Sequence, residues 1–283
     1  MSQIIIPQES PIFKTFQEAL KSYKVILFAG LPGVGKSLYL QQLSLMAAQA
    51  NKHVHLVQWD VTRAAFETPE ILKKYPEIDG VTHAAIRKAV GLWARQGVKN
   101  WFDAHQNTND ILIGEVPLIG NRLIELVQKQ DDEAESILQE HSLFILPVPS
   151  KRIRDVIEKA RARSISTPRH ERENADAPPN VLGMLWQDLY NLAVSLDMTR
   201  IQETSGYDPD IYAAVYEHLM KHRQQNTLHI DENFMPAGSV YDLQVIKSEL
   251  AANPEEVREI LKLIEQEFSE EGLEQAVQTW FKI

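Results

Sequence analysis

The chain contains no cysteine. That excludes disulfides, thiol catalysis and any zinc site built on sulfur, and it fits a reducing compartment. Positive charge is also in short supply, with 29 lysines and arginines against 39 acidic residues and a formal net charge of −10. A surface that tracks a phosphate backbone needs a basic excess, so no nucleic-acid partner is expected. No apolar run approaches the roughly 18 residues of a membrane span, so no membrane partner is expected either. The opening "MSQIIIPQESP" has a short apolar run with no basic residue before it, unlike a signal peptide. A cytoplasmic location follows as the expectation. What is present is ordinary for a globular chain: 283 residues, 44% hydrophobic, enough for one large or two small domains with a sizeable core.

Periodicity supplies the organisation. "SPIFKTFQEALKSY" predicts a first helix, with Ser10 as N-cap, Pro11 in the first position, and Phe13, Phe16 and Leu20 at helical spacing. "KVILFAG" is a short apolar run of the kind buried on both faces of a sheet. "HVHLVQW", "DILIGE", "SLFILPV" and the weaker "NTLHIDE" follow as further strands, with helical segments between them. Strands alternating with helices predict a parallel sheet with right-handed crossovers. Two connections, Asp60–Asp110 and Pro149–Gln225, far exceed the roughly dozen residues a crossover needs. Both leave the carboxyl ends of strands, where ligands bind in open α/β sheets, so they read as a substrate cover and a lid or as packing decoration. "STPRHERENADAPP" is expected to be the least ordered stretch. At the C-terminus, Asn253, Pro254 and Glu256 have the spacing of a capping box, and Val257, Ile260, Leu261 and Ile264 form one apolar stripe. That stripe packs on the sheet or forms a homodimer, and Gly272 is expected to break the helix before a last short one.

The densest signal is "GLPGVGKS", which reads G-x-x-x-x-G-K-S from Gly30 to Ser37. A random chain of this length would match those fixed positions about 0.01 times at average composition. An apolar strand precedes the match and a helix, "KSLYLQQLSLMAAQA", follows it, as a phosphate loop requires. Gly30 allows a sharp exit from the strand. Gly33 and Gly35 let backbone N–H groups reach phosphate oxygens, and Pro32, Val34 and Leu38 complete the cradle. Lys36 brings a full charge to the β- and γ-phosphates, and Ser37 offers its hydroxyl to Mg²⁺. ATP or GTP binding is the result.

Other residues narrow the class. Neither the D-x-x-G switch nor the N-K-x-D base reader of GTPases occurs. The third strand ends "ILIGE", so Glu115 holds Mg²⁺ through water, contacts substrate, or is a polar strand end. Asp60, after the second strand, accepts or orients the proton of an attacking hydroxyl, or caps the next helix. Arg63, one turn later, suits an anionic substrate. Arg152, Arg154, Arg161, Arg163, Arg169 and Arg172 cluster after the fourth strand. Arg163, Arg169 and Arg172 are the lid candidates, able to place positive charge over a transferring phosphoryl group. Arg154 reads as a solvated helix residue paired with Glu158, which also stands at pairing distance from Arg161. His218 and His222 four apart, and the "HVH" of 53–55, carry no third ligand nearby and are set aside. Trp93, Trp101 and Trp186 read as core.

The phosphate loop, "WDVTR", the long insertion, "GEVPLIGNR" and the arginine-rich segment together resemble the P-loop kinase superfamily over about residues 24–230. The nearest branches are nucleoside-monophosphate kinases and zeta-toxin-like small-molecule kinases. The resemblance implies a three-layer P-loop NTPase fold with a parallel five-stranded sheet ordered 2-3-1-4-5. A kinase-like domain over 1–245 would carry an acceptor-side insertion at 60–110 and a lid at 150–180, followed by a C-terminal helical extension over 246–283. It implies ATP- and Mg²⁺-dependent phosphoryl transfer to a small-molecule or nucleotide acceptor, with Asp60 positioning that acceptor. Adenylate kinases carry Asp-Gly-Phe-Pro-Arg after the third strand; here Glu115, Pro117 and Arg122 stand at shifted spacing, and only Asp176 stands where their lid has paired aspartates. The acceptor therefore stays open. A P-loop ATPase or nucleotide-sensing module that transfers nothing is the alternative.

Overall fold

The computed structural model describes residues 3–78, 81–200 and 206–283. In chain order the first half runs α1 (Pro11–Ser22), β1 (Val25–Ala29), α2 (Lys36–Gln49), β2 (His53–Gln58), α3 (Trp59–Ala64), α4 (Pro69–Lys74), α5 (Ala84–His105) and β3 (Asp110–Val116). The second half continues α6 (Glu135–Glu140), β4 (Ser142–Pro149), α7 (Lys151–Ser166), α8 (Pro179–Ser195), α9 (Pro209–Leu219), β5 (Gln225–Ile230), β6 (Ile246–Glu249), α10 (Pro254–Glu267) and α11 (Glu270–Gln278). Short 3-10 turns lie at Ile124–Leu126 and Glu171–Ala175.

All six strands are parallel, in the order β5-β4-β1-β3-β2-β6. The expected five-stranded sheet is thus corrected to six. The order 2-3-1-4-5 lies within it, and β6 adds to the outer edge of β2, where Val54 faces Ile246. The stretch from 246, expected to be helical throughout, therefore opens with a strand. β6 is short, half-exposed and interrupted by a register shift at Val54–His55.

Alternate residues of the inner strands face opposite layers. Val25, Leu27 and Ala29 of β1 join the core under α5, α8, α9 and α10, while Ile26 and Phe28 join the one under α1 and α2. Helices therefore cover both faces. Ser10 caps α1 by accepting from Phe13 N, and Asn253 with Glu256 closes the expected capping box on α10. Val257, Leu261 and Ile264 bury within this chain's own core, so the apolar stripe packs intramolecularly. Gly272 does not break a helix. The break falls at Phe268, Ser269 caps α11, and Gly272 lies inside it. Trp93, Trp101 and Trp186 are core residues, as expected. Among the described residues no helix is long and apolar enough to cross a membrane.

Gly114 explains the odd "IGE" end of β3. A Cβ there would lie 2.5 Å from Val57 Cγ1 and 2.8 Å from Leu27 Cδ2, between the two neighbouring strands. Only a glycine lets β1, β3 and β2 close up at this level, one residue before Glu115. Gly114→Ala is expected to destabilise the fold by about 1–3 kcal/mol, the usual cost of an overpacked core. Urea unfolding should show this as a lower midpoint with an unchanged slope; a wild-type midpoint would mean that the strands separate without cost.

Candidate functional site

Parallel strands send every carboxyl end to the same side. There the molecule has a cavity of about 1140 Å³, above the roughly 300–1,000 Å³ usual for small-ligand sites. Its wall takes Pro32, Gly33, Gly35, Lys36 and Ser37 from the glycine loop, Gln58 and Asp60 after β2, Glu115 from β3, Arg161 and Arg163 from α7, and Glu232 to Met235 after β5.

The glycine loop is shaped by backbone geometry. Gly33 and Gly35 have φ of 80° and 90°, in the region side chains avoid, and Gly35 is the N-cap of α2. Pro32, Gly33, Gly35, Lys36, Ser37 and Leu38 face the cavity. Gly30 and Val34, also named as cradle residues, do not line it: Val34 is in the core, and the Tyr212 hydroxyl lies against Gly30.

Lys36 is buried, and its Nζ donates to Leu31 O at 3.0 Å. Burial is the largest influence on it and brings its pKa down to about 8, with Glu115 and Asp60 pulling up and Arg161 and Arg154 pushing down. Burial likewise raises the Glu115 carboxyl above its ordinary value, against the pull of Lys36 and the Ser37 hydroxyl. Glu115 Oε1 is buried and has no hydrogen-bond partner among the described residues. A buried, unpartnered carboxylate oxygen beside a serine hydroxyl is an oxygen donor pair of the kind Mg²⁺ takes.

Asp60 stands at the cavity with its side chain 80% exposed. It does not cap α3. The N-cap is Gln58, and Asp60 lies in the first turn. Arg63 is not on the cavity wall. Its Nη1 donates to Thr82 Oγ1 at 3.1 Å, with Glu67 at 3.5 Å and Asp60 at 3.9 Å. Arg122 does line the cavity; burial and then the like charge of Arg63 push its guanidinium below its ordinary value. Arg87 on α5 donates from Nη1 to Gly120 O at 2.7 Å.

The arginine-rich segment is tied down. Arg172 Nη2 donates to both carboxylate oxygens of Glu249 at 2.9 and 2.8 Å, and Nη1 to Gln58 Oε1 at 3.0 Å. Arg169 Nη1 donates to Ala237 O at 3.2 Å, and Ser239 Oγ to Glu173 Oε1 at 2.6 Å. The stretch expected to be least ordered thus folds onto residues 237–249. Arg169 and Arg172 are thus already bonded to protein, whereas among the described residues Arg163 on α7 donates only to Lys159 O of its own helix, at 3.2 Å.

Two arginines that the sequence reading passed over lie nearer the loop. Arg154 is 2% exposed rather than solvated. Its expected bond to Glu158 is present at 2.6 Å, but Nη1 also donates to Pro32 O at 2.9 Å, and the guanidinium packs over the Tyr207 ring. A Cβ on Gly33 would come within 3.2 Å of that guanidinium, so Arg154 buttresses the loop from behind. Arg161 bonds Asp176 Oδ1 at 2.5 Å rather than Glu158, and Tyr241 OH donates to the same oxygen at 2.7 Å. Helical spacing reveals the Arg154–Glu158 pair. Nothing local in the sequence reveals Pro32, Tyr207 or Tyr241 as partners.

No protein-family model matches the chain, and no curated protein matches it.

The shared field of Lys36 and Glu115 has a measurable consequence. NMR titration of the Lys36 side chain should place its midpoint near about 8. Glu115→Gln removes the charge that raises it most, so the midpoint should fall in that variant. A midpoint at the ordinary lysine value in both proteins would mean that the ammonium is solvated.

Proposed function

We propose that the chain is an ATP-binding phosphotransferase that moves the γ-phosphate to a small-molecule or nucleotide acceptor, as the P-loop kinases it resembles do. The observation that carries this reading is the convergence of Lys36, Ser37, Glu115, Asp60 and Arg163 on one cavity at the strand ends. The loop amides, left open by Gly33 and Gly35, and the Lys36 ammonium hold the phosphates. Nucleotide binding offsets the burial of Lys36, so it is accompanied by proton uptake above pH 8. Ser37 and Glu115 are the oxygen donors for Mg²⁺, which when bound neutralises charge on the β- and γ-phosphates.

Asp60 is free to accept the proton of the acceptor hydroxyl. As the new O–P bond forms, the bond from γ-phosphorus to the bridging oxygen breaks, and ADP carries that electron pair away. Arg161 and Arg163 place positive charge over the transferring group. Val61, Ile119, Val181 and Leu185 give the rest of the cavity an apolar wall, and Arg122 is the cation among them. An acceptor with an apolar portion and an anionic group fits that wall. With Arg63 engaged by Thr82 and Glu67, the substrate role expected of it passes to Arg122.

Transfer and background hydrolysis should be measured side by side, across nucleosides, nucleotides, sugars and acids. Lys36→Ala should abolish nucleotide binding measured by calorimetry and leave the fold intact. In Asp60→Asn, nucleotide affinity should hold while transfer falls by about 10²- to 10⁴-fold, the usual loss for a positioned proton acceptor. If no acceptor is phosphorylated and Glu115→Gln damages ATP turnover more than Asp60→Asn, the protein is a hydrolase or nucleotide sensor instead.

A further inference from the structure

At the opposite, amino end of the strands lies a cluster that the cavity does not use. His55 on β2, His105 at the last turn of α5 and Asp110 at the start of β3 each direct a ligand atom to one place, all within 4.8 Å of one another. The fold builds this in three ways. The two-residue period of β2 puts His53 and His55 on one face. Pairing of β2 with β3 sets His53 opposite Asp110. His105 follows Trp101 by one helical turn, and their rings stack at 5.1 Å beside His55.

Both rings are already held as ligands are held. His55 Nδ1 bonds Ser248 Oγ at 2.7 Å, and His105 Nδ1 donates to Trp101 O at 2.8 Å. Ligating histidines are commonly oriented by such a bond from the second ring nitrogen, which leaves Nε2 for the metal. His55 Nε2 stands 2.7 Å from Asp110 Oδ1, and His105 Nε2 has no hydrogen bond among the described residues. The exposed His53 places Nδ1 3.6 Å from Asp110 Oδ2, within reach as a fourth ligand. A cation already sits here: Lys247 Nζ donates to Asp110 Oδ1 at 2.9 Å, on a side chain 53% exposed and free to swing away.

We propose that His55, His105 and Asp110 form a binding site for a zinc-type divalent ion, which displaces the Lys247 ammonium. Two imidazoles with one carboxylate and no sulfur suit Zn²⁺, Co²⁺ or Ni²⁺. Mg²⁺ prefers oxygen ligands and is not expected here. The ion would join β2, α5 and β3 away from the cavity, so the site stands whether or not the chain transfers phosphate.

The test is calorimetry and thermal melting of the full chain, freed of metal by a chelator, with ZnCl₂ and with MgCl₂. Wild-type protein should bind one Zn²⁺ saturably and melt higher with it, while Mg²⁺ at the same concentration does neither at this site. His105→Ala should weaken zinc binding by at least about tenfold, the lower bound found even for outer-shell partners. Lys247→Met removes the competing ammonium and should bind zinc more tightly than wild type. His218→Ala should bind as wild type does, because His218 lies on α9, outside the cluster. Absence of saturable zinc binding in wild type and in Lys247→Met overturns the proposal, as does binding that survives His105→Ala and is lost in His218→Ala. Should His105→Ala fail to fold, Lys247→Met still decides: zinc binding no tighter than wild type means that the cluster is a hydrogen-bonded corner and nothing more.

Discussion

A strand buried on both faces has no place along its length for a charge. β1 and β4 are buried from end to end, and β3 is buried but for Glu115. Ionised groups on these strands are therefore pushed to their ends, where solvent or a partner charge offsets the desolvation cost. Because the strands run in one direction, the ends fall into two sets. The carboxyl set meets the glycine loop, Gln58, Asp60, Glu115 and the start of α7. The amino set brings His53, His55 and Asp110 together. The two polar regions of the molecule are products of the same apolar constraint.

Within the cavity that constraint gathers charge of both signs. Lys36, Arg122, Arg161, Arg163, Arg169 and Arg172 share its wall with Asp60, Glu115, Glu173, Asp176, Glu232 and Glu249, and Arg154 stands directly behind the loop. Several of these are neutralised internally: Arg172 by Glu249, Arg161 by Asp176, Arg154 by Glu158. Among the described residues Lys36 is not paired in this way; its ammonium donates to a carbonyl. A buried ammonium without a carboxylate in contact is costly, and an anion arriving at the loop relieves that cost. In the proposed function the phosphates of a small molecule are that anion.

The parts of this arrangement legible in the sequence were those encoded locally. The glycine loop needs eight consecutive residues, and β1, β3 and β4 are built on contiguous apolar runs, with β2 and the weaker β5 carried by shorter patterns. The caps at Ser10 and Asn253 lie within four residues of what they cap. What escaped reading was encoded by distance. β6 reads "IKSE", three of its four residues polar, and becomes a strand because the edge of β2 is free to pair with it. Arg154 has a satisfying partner one turn away, which suggests solvent exposure, yet Pro32 and Tyr207 bury it. Asp60 was offered as a cap because carboxylates often cap, but α3 starts one residue earlier, at Trp59. Asp176, Tyr241 and Glu249 carry no spacing pattern, and only the fold of the chain over the cavity brings them to Arg161 and Arg172.

The strand order also bears on how the protein is made. β5 and β6 follow each other in the chain but occupy opposite edges of the sheet, so residues 231–245 must cross its full width, about 24 Å at ordinary strand spacing. β6 emerges from the ribosome after the other five strands, and its partner Val54 has by then long been available. Until it arrives, β2 presents an unpaired edge, the kind of surface on which nascent chains join one another. The final short strand, its Lys247 bonded to Asp110 and its Glu249 to Arg172, both completes the sheet and retires that edge.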